Sequence, residues 1–549
     1  MSTEQVAYGD AGPGSRTIPW DELRPGGAGG PVASHWERVW TPLEALGPEG
    51  LAIRAASLER LLRDEGVTYT AAWTPGTDTG RRRAWDLDPV PVVVDSDDWR
   101  AIEAGLVQRA ELLDLVLTDL NGPRDLIRRG LIPAALLWAN PAFLPPCTDV
   151  AVPGSQQLIL VATDLARGPD GQMLVLADRA QMPSGVGYAI MNRLVMSRAF
   201  PSLYRDAQVH RLSAFLRRLR AALGALAPGR DDDPGVVILT PGPASPTYFE
   251  HAFLASQLGY PLVSGGDLEV HQGHVTIRSV AGRGRVDVIV RRVDADDLDP
   301  LELRPDSLLG VPGLLEAARS GRVSIVNPPG TGVLEHPALP AFLPGLARHF
   351  LGHDLLLASP ALWWCGRHGD RAYVLDHLEE LVLRRCGPTS QGGRSVHGAG
   401  LTGAQRDELA RRIGAAPHQW VGREYVEPSV VPTLVAGTRL EARPVTVRAF
   451  LVAHGGSYLT MPGGLVKVAP SDGTADGRLF ADSPGAGSGA PAQAVPPGLA
   501  RGRVQRPSKD AWVLSTEPEQ PGGPLDVPLA ASAPVALPGR AAEHMFVIG

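Results

Sequence analysis

The stretch VLADRAQMPSGVGYAIMNR, residues 175–193, decides the fold of this protein. A short apolar strand runs into the acidic–basic pair Asp178-Arg179, and a Pro-Ser-Gly turn follows. Helical spacing of apolar residues begins after that turn. Polar side chains at the exit of a strand are a common place for chemistry. The stretch therefore predicts the edge of a functional site.

Length, composition and charge exclude several classes of protein. The chain has 549 residues, too many for one compact core, and its 44% hydrophobic residues exclude global disorder. A net charge of −7 gives no reason to expect binding to nucleic acid or to an anionic membrane. No apolar run approaches the roughly 20 residues of a membrane span. With three scattered cysteines and no secretory signal, we expect a cytoplasmic protein without a disulfide framework or a zinc cluster.

Changes in composition and periodicity predict six regions along the chain. They are a flexible N-terminus at 1–35, a mainly helical region at 36–150, a hairpin with following helices at 151–233, an α/β unit at 234–338, a region of helices and strands at 339–515 that contains a flexible insertion at 470–502, and a Pro-rich tail at 516–549.

Two of these regions contain the strands that matter most for function. Residues 157–178, QLILVATDLARGPDGQMLVLAD, predict a hairpin with a Gly-Pro-Asp-Gly turn. In the α/β unit, alternating strands and helices predict a mainly parallel sheet with ligand loops at its C-terminal strand ends. Within that unit, residues 307–321 predict a helix, and HQGH at 271–274 predicts a hairpin turn rather than a metal site.

The order of these parts resembles the circularly permuted ATP-grasp proteins of type 2, distant relatives of glutathionylspermidine synthetase. The resemblance covers roughly residues 36–515. Its carriers are TDLARGPDG (163–171), the opening stretch, LTPGPASPTYFEHAFLASQLGYPLVSGGDL (239–268), DPLELRPDSLLGVPGLLEA (299–317), MPGGLVKVA (461–469) and PSKDAWVLS (507–515).

The resemblance implies an α/β (α+β) chain with a circularly permuted ATP-grasp fold. The metal-binding hairpin and core helices would lie at 151–233, and a pre-ATP-grasp-like substrate unit at 234–338. The nucleotide lid and core strands would lie at 339–515.

The same resemblance implies ATP-dependent ligation of a carboxylate to an amine through an acyl phosphate, on a small-molecule or peptide substrate. ATP and Mg²⁺ would be the cofactors, because the metal neutralises the phosphates during transfer. The alternative is a catalytically degenerate ATP-grasp protein that binds nucleotide or peptide as a scaffold. Relatives often occur beside α-helical proteins of the α-E type and transglutaminase-like proteins, which fits either hypothesis.

The expected metal ligands are incomplete in the hairpin. Relatives carry an Asp on the first strand, then Glu and Asn two residues apart on the second. Asp164 matches the first, whereas Ala177 and Arg179 stand where Glu and Asn are expected. Strand alternation turns Asp178 to the opposite face. The resemblance therefore implies that Asp164 is a metal ligand. The alternative is that Asp164 is an ordinary aspartate at the end of a strand. Arg179 is implied as a catalytic cation that approaches the phosphates.

The helix after the Pro-Ser-Gly turn departs from the family in a similar way. Its usual Glu-Asn-Arg is Met191-Asn192-Arg193 here, so a second acid is missing. Asn192 is implied as a further metal ligand. The competing interpretation is that Asn192 and Arg193 anchor the helix to the sheet by hydrogen bonds.

Nucleotide-binding residues are implied in the C-terminal part of the chain. Arg384 replaces the usual phosphate-binding lysine, a Gly-rich loop follows, and a strand would line the adenine with Glu424 as the hinge acceptor. The full set is Arg384, Gly392, Gly393, Arg394, Glu424, Lys467 and Lys509. The alternatives are a plain flexible connection for the loop, an edge-strand charge for Glu424 and a surface pair for Lys509-Asp510.

Arg448, in TVRAFLV, is implied as a catalytic cation. It lies between apolar residues on a predicted strand, so alternation points it inward and it requires a buried anion. A phosphate or a structural carboxylate would serve, and we expect a phosphate.

Overall fold

The structure is a computed structural model that describes residues 18–27, 29–70, 82–229, 233–279, 282–387, 395–437, 439–469 and 507–516. The predicted insertion at 470–502 and the tail beyond residue 516 lie outside these ranges. So does the part of the Gly-rich loop that contains Gly392, Gly393 and Arg394.

The described chain contains twelve α-helices, some of a single turn. They are α1 Ser34–Asp64, α2 Ser96–Asn121, α3 Asp125–Arg128, α4 Ala135–Trp138, α5 Val186–Ala199, α6 Pro201–Asp206, α7 Ser213–Gly224, α8 Tyr248–Leu258, α9 Leu314–Arg319, α10 Leu343–Phe350, α11 His368–Asp376 and α12 Gly403–Ala415. Gly47, with φ of 64°, kinks α1. None of these helices is both long enough and apolar enough to cross a bilayer.

The strands of the described chain belong to five sheets. They are β1 Thr68–Thr70, β2 Arg82–Ala84, β3 Val92–Val94, β4 Leu160–Arg167, β5 Met173–Arg179, β6 Val236–Leu239, β7 Leu262–Val263, β8 Leu268–His271, β9 His274–Ser279, β10 Gly282–Val286, β11 Val288–Arg291, β12 Ser324–Val326, β13 Leu362–Trp364, β14 Leu381–Arg385, β15 Val396–His397, β16 Trp420–Glu424, β17 Val430–Val435, β18 Arg439–His454, β19 Ser457–Thr460, β20 Leu465–Val468 and β21 Ser508–Val513.

The main sheet has eight strands in the order β3-β21-β20-β18-β4-β5, with β17 and β19 also paired to β18. β18 is long and central, and its residues 449–452 are fully buried. The hairpin predicted at 157–178 is confirmed as β4 and β5, which pair antiparallel. The region at 36–150, predicted to be mainly helical, also supplies strands, one of which, Val92–Val94, pairs in parallel with β21.

The α/β unit contains the predicted parallel sheet. Its strands lie in the order β12-β11-β6-β7 and all pair in parallel, around a separate apolar core. The HQGH turn is confirmed, since His271 pairs with His274 across the antiparallel strands β8 and β9. The helix predicted at 307–321 is shorter than expected. It begins only at Leu314, because Pro312 donates no N–H and Gly313 adopts a φ of 81°.

A second antiparallel sheet, which we call the lid sheet, has the order β13-β16-β14-β15. Alternation divides it into two faces. Leu381 and Leu383 of β14 pack on Val374 of α11 and on Leu409 and Ile413 of α12. The opposite face looks toward the main sheet.

Between β5 and α5, residues 180–185 form a loop whose backbone polar groups are bound by side chains from distant elements. Glu335 accepts from two of its N–H groups, and Glu250 accepts from the N–H groups of Gly185 and Gly187. Three arginines donate to its carbonyls, namely Arg291 to Gln181, Arg292 to Pro183 and Arg448 to Ser184. The loop is therefore held in one conformation.

We predict that Gly185→Ala destabilises the protein by about 1–3 kcal/mol. Gly185 has φ of 117°, and an added Cβ would lie 3.0 Å from both Leu465 and Phe450. Gly130→Ala is the matched control, because Gly130 also has a positive φ, of 69°, but nothing lies within 4 Å of its Cβ position. Urea unfolding should show the larger loss for Gly185→Ala, and equal losses would contradict the crowding argument.

Candidate functional site

A cavity lies between the main sheet and the cavity-facing side of the lid sheet. It encloses about 1180 Å³ of empty space, part of which is open to solvent. Apolar side chains from both sheets line it, together with a group of charged residues. The charged lining residues are Asp164, Asp178, Arg179, Glu335, Arg384 and Arg423.

Two arginines of the lid sheet face this cavity and form no ion pair with any acid in the described part of the chain. Arg384 lies opposite Val421, and Arg423 lies opposite Val382, so all four side chains share one face. Within the described residues, Arg384 makes no hydrogen bond or ion pair, and Arg423 donates to the Leu176 carbonyl at 3.2 Å. Burial, with Arg179 and Arg423 nearby, lowers the pKa of Arg384 to about 10. A desolvated cation beside other positive charges is stabilised when an anion binds to it.

Asp164 occupies the floor of the cavity and is bound by arginines on both oxygens. Arg448, directly opposite on β18, donates from Nε to Oδ1 at 2.6 Å and from Nη2 to Oδ2 at 3.1 Å. Arg179 donates from Nε to Oδ2 at 3.1 Å. The Asp164 and Arg448 side chains are only 3% and 2% exposed. The Asp164 carboxylate is thus a buried anion for Arg448, and contact of Arg448 with a phosphate stays a prediction.

A divalent ion does not fit this arrangement. Both oxygens of Asp164 already accept from guanidinium groups, and the side chains of Ala177 and Met191 offer no oxygen ligand. No group of three His, Cys, Asp or Glu residues in the described part of the chain could hold a metal ion. Mg²⁺ requires oxygen ligands in near-octahedral geometry.

Asp178 faces away from Asp164, as strand alternation predicts. Its two oxygens accept from Nε and Nη2 of Arg109 on α2, both at 2.8 Å, and both side chains are buried. This bidentate pair joins α2 to β5 and is structural. Arg109 was not predicted, although its position three residues after Leu106 and three before Leu112 places it on the buried face of α2.

Asn192 lies outside the cavity lining. Its side-chain oxygen accepts from Trp85 Nε1 at 2.8 Å, and its amide nitrogen is 3.3 Å from Ser508 Oγ. Arg193 beside it donates to Asp510 at 2.8 Å. These contacts are those expected of a helix anchored to a sheet, and metal ligation by Asn192 stays a prediction.

The two lysines lie on opposite faces of the main sheet. The Lys467 ammonium is 4.0 Å from the centroid of the Trp85 ring. Lys509 is fully buried and donates to Asp88, to the Val90 carbonyl and to the Pro432 carbonyl. The surface-pair alternative for Lys509-Asp510 is therefore wrong. Neither lysine lines the cavity.

Glu424 projects from the outer face of the lid sheet. Its side chain is exposed and accepts from the Ala361 N–H at 3.3 Å, whereas the next two residues, Tyr425 and Val426, line the cavity. Glu424 was predicted to contact the nucleotide. Alternation along WVGRE instead turns the side chain of the preceding residue, Arg423, toward the cavity. Glu335 was missed for another reason, since it lies in a short 3₁₀ segment without a periodic signal.

Comparison with known proteins gives the family. The profile of circularly permuted ATP-grasp type 2 proteins matches residues 91–469. The chain belongs to this family. The predicted circularly permuted ATP-grasp fold and the recognition of the family are thereby confirmed.

Two relatives and one solved structure show how far the similarity extends. The chain is 40% identical over 442 residues to the uncharacterized protein Rv2567 of Mycobacterium tuberculosis, covering 79% of this chain and 49% of that protein, so it spans about half the length of that relative. It is 37% identical over 429 residues to the uncharacterized protein sll0335 of Synechocystis, covering 78% and 88%. A glutathione synthetase-like effector from Globodera pallida shares the fold, with a TM-score of 0.50 and 12% identity over 77% of this chain and 95% of that one.

We predict that Arg384→Met raises the free energy of unfolding of the ligand-free protein by about 1 kcal/mol, because it removes a desolvated cation beside two like charges. Arg385→Met is the matched control, since Arg385 is the next residue of β14 but is exposed and bonded to Gln419. Thermal unfolding of both variants checks this. A lower midpoint for Arg384→Met than for the control would show that Arg384 stabilises the empty protein.

We predict that Asp164→Ala lowers the free energy of unfolding by about 3–5 kcal/mol, because two arginines lose their buried counter-ion. Arg448→Met should also destabilise. The double variant should lose less than the two single losses together, since the second change removes a cation that the first left unpaired. Chemical denaturation measures all three, and strict additivity would contradict a direct pair.

Proposed function

We propose that this protein binds the phosphate groups of a nucleotide in the cavity between its two sheets and acts as a nucleotide-binding ATP-grasp protein. The observation that carries this proposal is the pair Arg384 and Arg423, two guanidinium groups on the cavity face with no acidic partner in the described chain. A planar guanidinium binds phosphate oxygens in a bidentate manner. Family membership supports a ligase-like, ATP-dependent ancestry.

The cavity has surfaces of two kinds, which suit the two parts of a nucleotide. Val175, Leu362, Val382 and Val421 provide apolar walls on both sheets, of the sort that encloses a planar base. The arginines supply the polar surface of the cavity, which suits the phosphates. Tyr425 and Val426, in the segment that leads from the lid sheet back to the main sheet, line the same space.

The geometry favours nucleotide binding over magnesium-dependent ligation. Acyl phosphate formation places developing charge on the transferred phosphoryl group, and stabilising that charge is the usual task of the metal ions. Here the carboxylate expected to bind the metal is held by two arginines. The residues of this chain can hold and orient phosphates, and the apolar walls can exclude water from them.

A second candidate function is the ATP-dependent ligation of a carboxylate to an amine. The hydrogen bonds between the α/β unit and the loop that joins β5 to α5 favour this candidate. Glu250 of α8 and Arg292, immediately after β11, both bind this loop, so the C-terminal ends of the parallel strands lie beside it. A substrate bound at those strand ends would approach the cavity from that side. Release of ADP in the presence of a carboxylate and an amine would support this candidate.

We predict that ATP binds more tightly than ADP, and ADP more tightly than AMP, because each phosphate adds contacts to arginine. Arg384→Ala should weaken ATP binding about 10- to 100-fold, the effect of losing a charge-assisted hydrogen bond. Isothermal titration calorimetry, both with Mg²⁺ and with a chelator, measures these affinities.

Arg385→Ala is the matched control for this experiment, since it removes an exposed arginine from the same strand. The proposal predicts little change for it. Absence of saturable binding of ATP at millimolar concentration in both conditions would contradict the proposed function. So would an equal loss of affinity in the Arg384 and Arg385 variants.

A further inference from the structure

The structure assigns to Arg179 the position that a divalent ion would take, and we infer that the cavity binds its polyphosphate ligand in the metal-free form. The inference rests on the proposed function, because it concerns the form in which the nucleotide binds. Its ligand class is a nucleoside triphosphate, or another polyphosphate, without magnesium.

The first observation is the position of the Arg179 guanidinium. It lies between two carboxylates on the cavity wall, with Nε 3.1 Å from Asp164 Oδ2 and Nη1 3.9 Å from Glu335 Oε2. An ion bound to Asp164 from the cavity side would compete for this space. Burial opposes protonation of Arg179, but Asp164 and Glu335 outweigh it and raise its pKa. The positive charge is therefore permanent.

The second observation is the charge of the cavity wall. Asp164 is paired with Arg448, and Asp178 is paired with Arg109. Among the described residues in and directly behind the lining, five guanidinium groups therefore accompany three carboxylates, namely Arg109, Arg179, Arg384, Arg423 and Arg448 with Asp164, Asp178 and Glu335. This surplus of positive charge matches a free polyphosphate better than its magnesium complex, since the metal cancels part of the negative charge. Adding a divalent ion beside it would cost electrostatic energy.

The third observation is the use of the remaining carboxylate. One oxygen of Glu335 accepts from the N–H groups of Ala180 and Gln181, at 2.9 and 2.8 Å, and so holds the loop after β5. Ligation of a metal by Glu335 and Asp164 would require Arg179 to leave both of them. The two carboxylates are thus already bound by Arg179 and by the loop, without a metal ion.

This arrangement affects how a polyphosphate binds rather than how a phosphoryl group is transferred. A guanidinium can donate hydrogen bonds to phosphate oxygens while it stays bonded to a carboxylate. A metal ion would instead coordinate oxygens of both the phosphate and the carboxylate. Arg179, Arg384 and Arg423 come from three strands of two sheets, so a polyphosphate between them would draw the lid sheet and the main sheet together.

The test compares ATP binding with an excess of EDTA and with an excess of MgCl₂ by isothermal titration calorimetry. The wild-type protein should bind ATP in EDTA at least as tightly as it binds the magnesium complex. Arg179→Ala should weaken binding in EDTA about tenfold or more. Arg179→Lys should recover only part of it, because an ammonium cannot form the bidentate fork. Arg385→Ala should leave the affinity unchanged.

A double variant tests the substitution of arginine for metal directly. Ala177→Glu with Arg179→Asn supplies the two oxygen ligands that relatives carry and removes the competing guanidinium. Its ATP binding should become dependent on Mg²⁺. A cooperative thermal transition shows which variants are folded. Arg179→Lys is the test variant in case Arg179→Ala does not fold.

Each outcome separates this inference from the proposed function. Binding of ATP by the wild-type protein only when Mg²⁺ is present would overturn the inference and leave the proposed function standing. No binding in either condition would overturn the proposed function and the inference with it. A folded Arg179→Ala protein with unchanged affinity in EDTA would also overturn the inference.

Discussion

The buried carboxylate of Asp164 is the group on which the rest of the site depends. It joins β4 to β18 through Arg448 and to β5 through Arg179, so three strands of the main sheet share one ion cluster. Arg448 extends the cluster to the loop before α5 by donating to the Ser184 carbonyl. A buried carboxylate is costly unless it is fully paired, so these arginines cannot leave it without a large loss of stability. For the same reason a metal ion fits poorly beside the Asp164 carboxylate.

Buried cations with acidic or carbonyl partners occur throughout the fold. Arg109, Arg193 and Lys509 each bind an aspartate on another element, and Arg291 binds backbone carbonyls. Such groups specify which elements meet, because a wrong pairing would leave a charge unpaired in the interior. Against this background Arg384 is different, since it has no acidic partner in the described chain. A partly buried arginine without an ion pair is consistent with selection for binding rather than for stability.

Much of the fold could be predicted from local patterns. The hairpin at 157–178, the parallel sheet and the HQGH turn all follow from period-two alternation and turn residues, and all are present. Local patterns failed where tertiary pairing decides the structure. The three consecutive valines of Val92–Val94 favour a strand, but their partner β21 could not be predicted, because it lies more than 400 residues away. The helix ending at Arg319 is short because Pro312 and Gly313 override its apolar spacing.

The sequence by itself determined the family, the position of the site edge at residues 175–193 and the absence of acids at Ala177 and Met191. Alternation alone also determined that Asp178 faces away from Asp164, because successive side chains on a strand point to opposite faces. Only the tertiary structure decided what Asp164, Arg448 and Lys509 bind, since their partners come from distant strands or loops. A side chain's type shows what it can bond, whereas its partner depends on which elements the fold brings together.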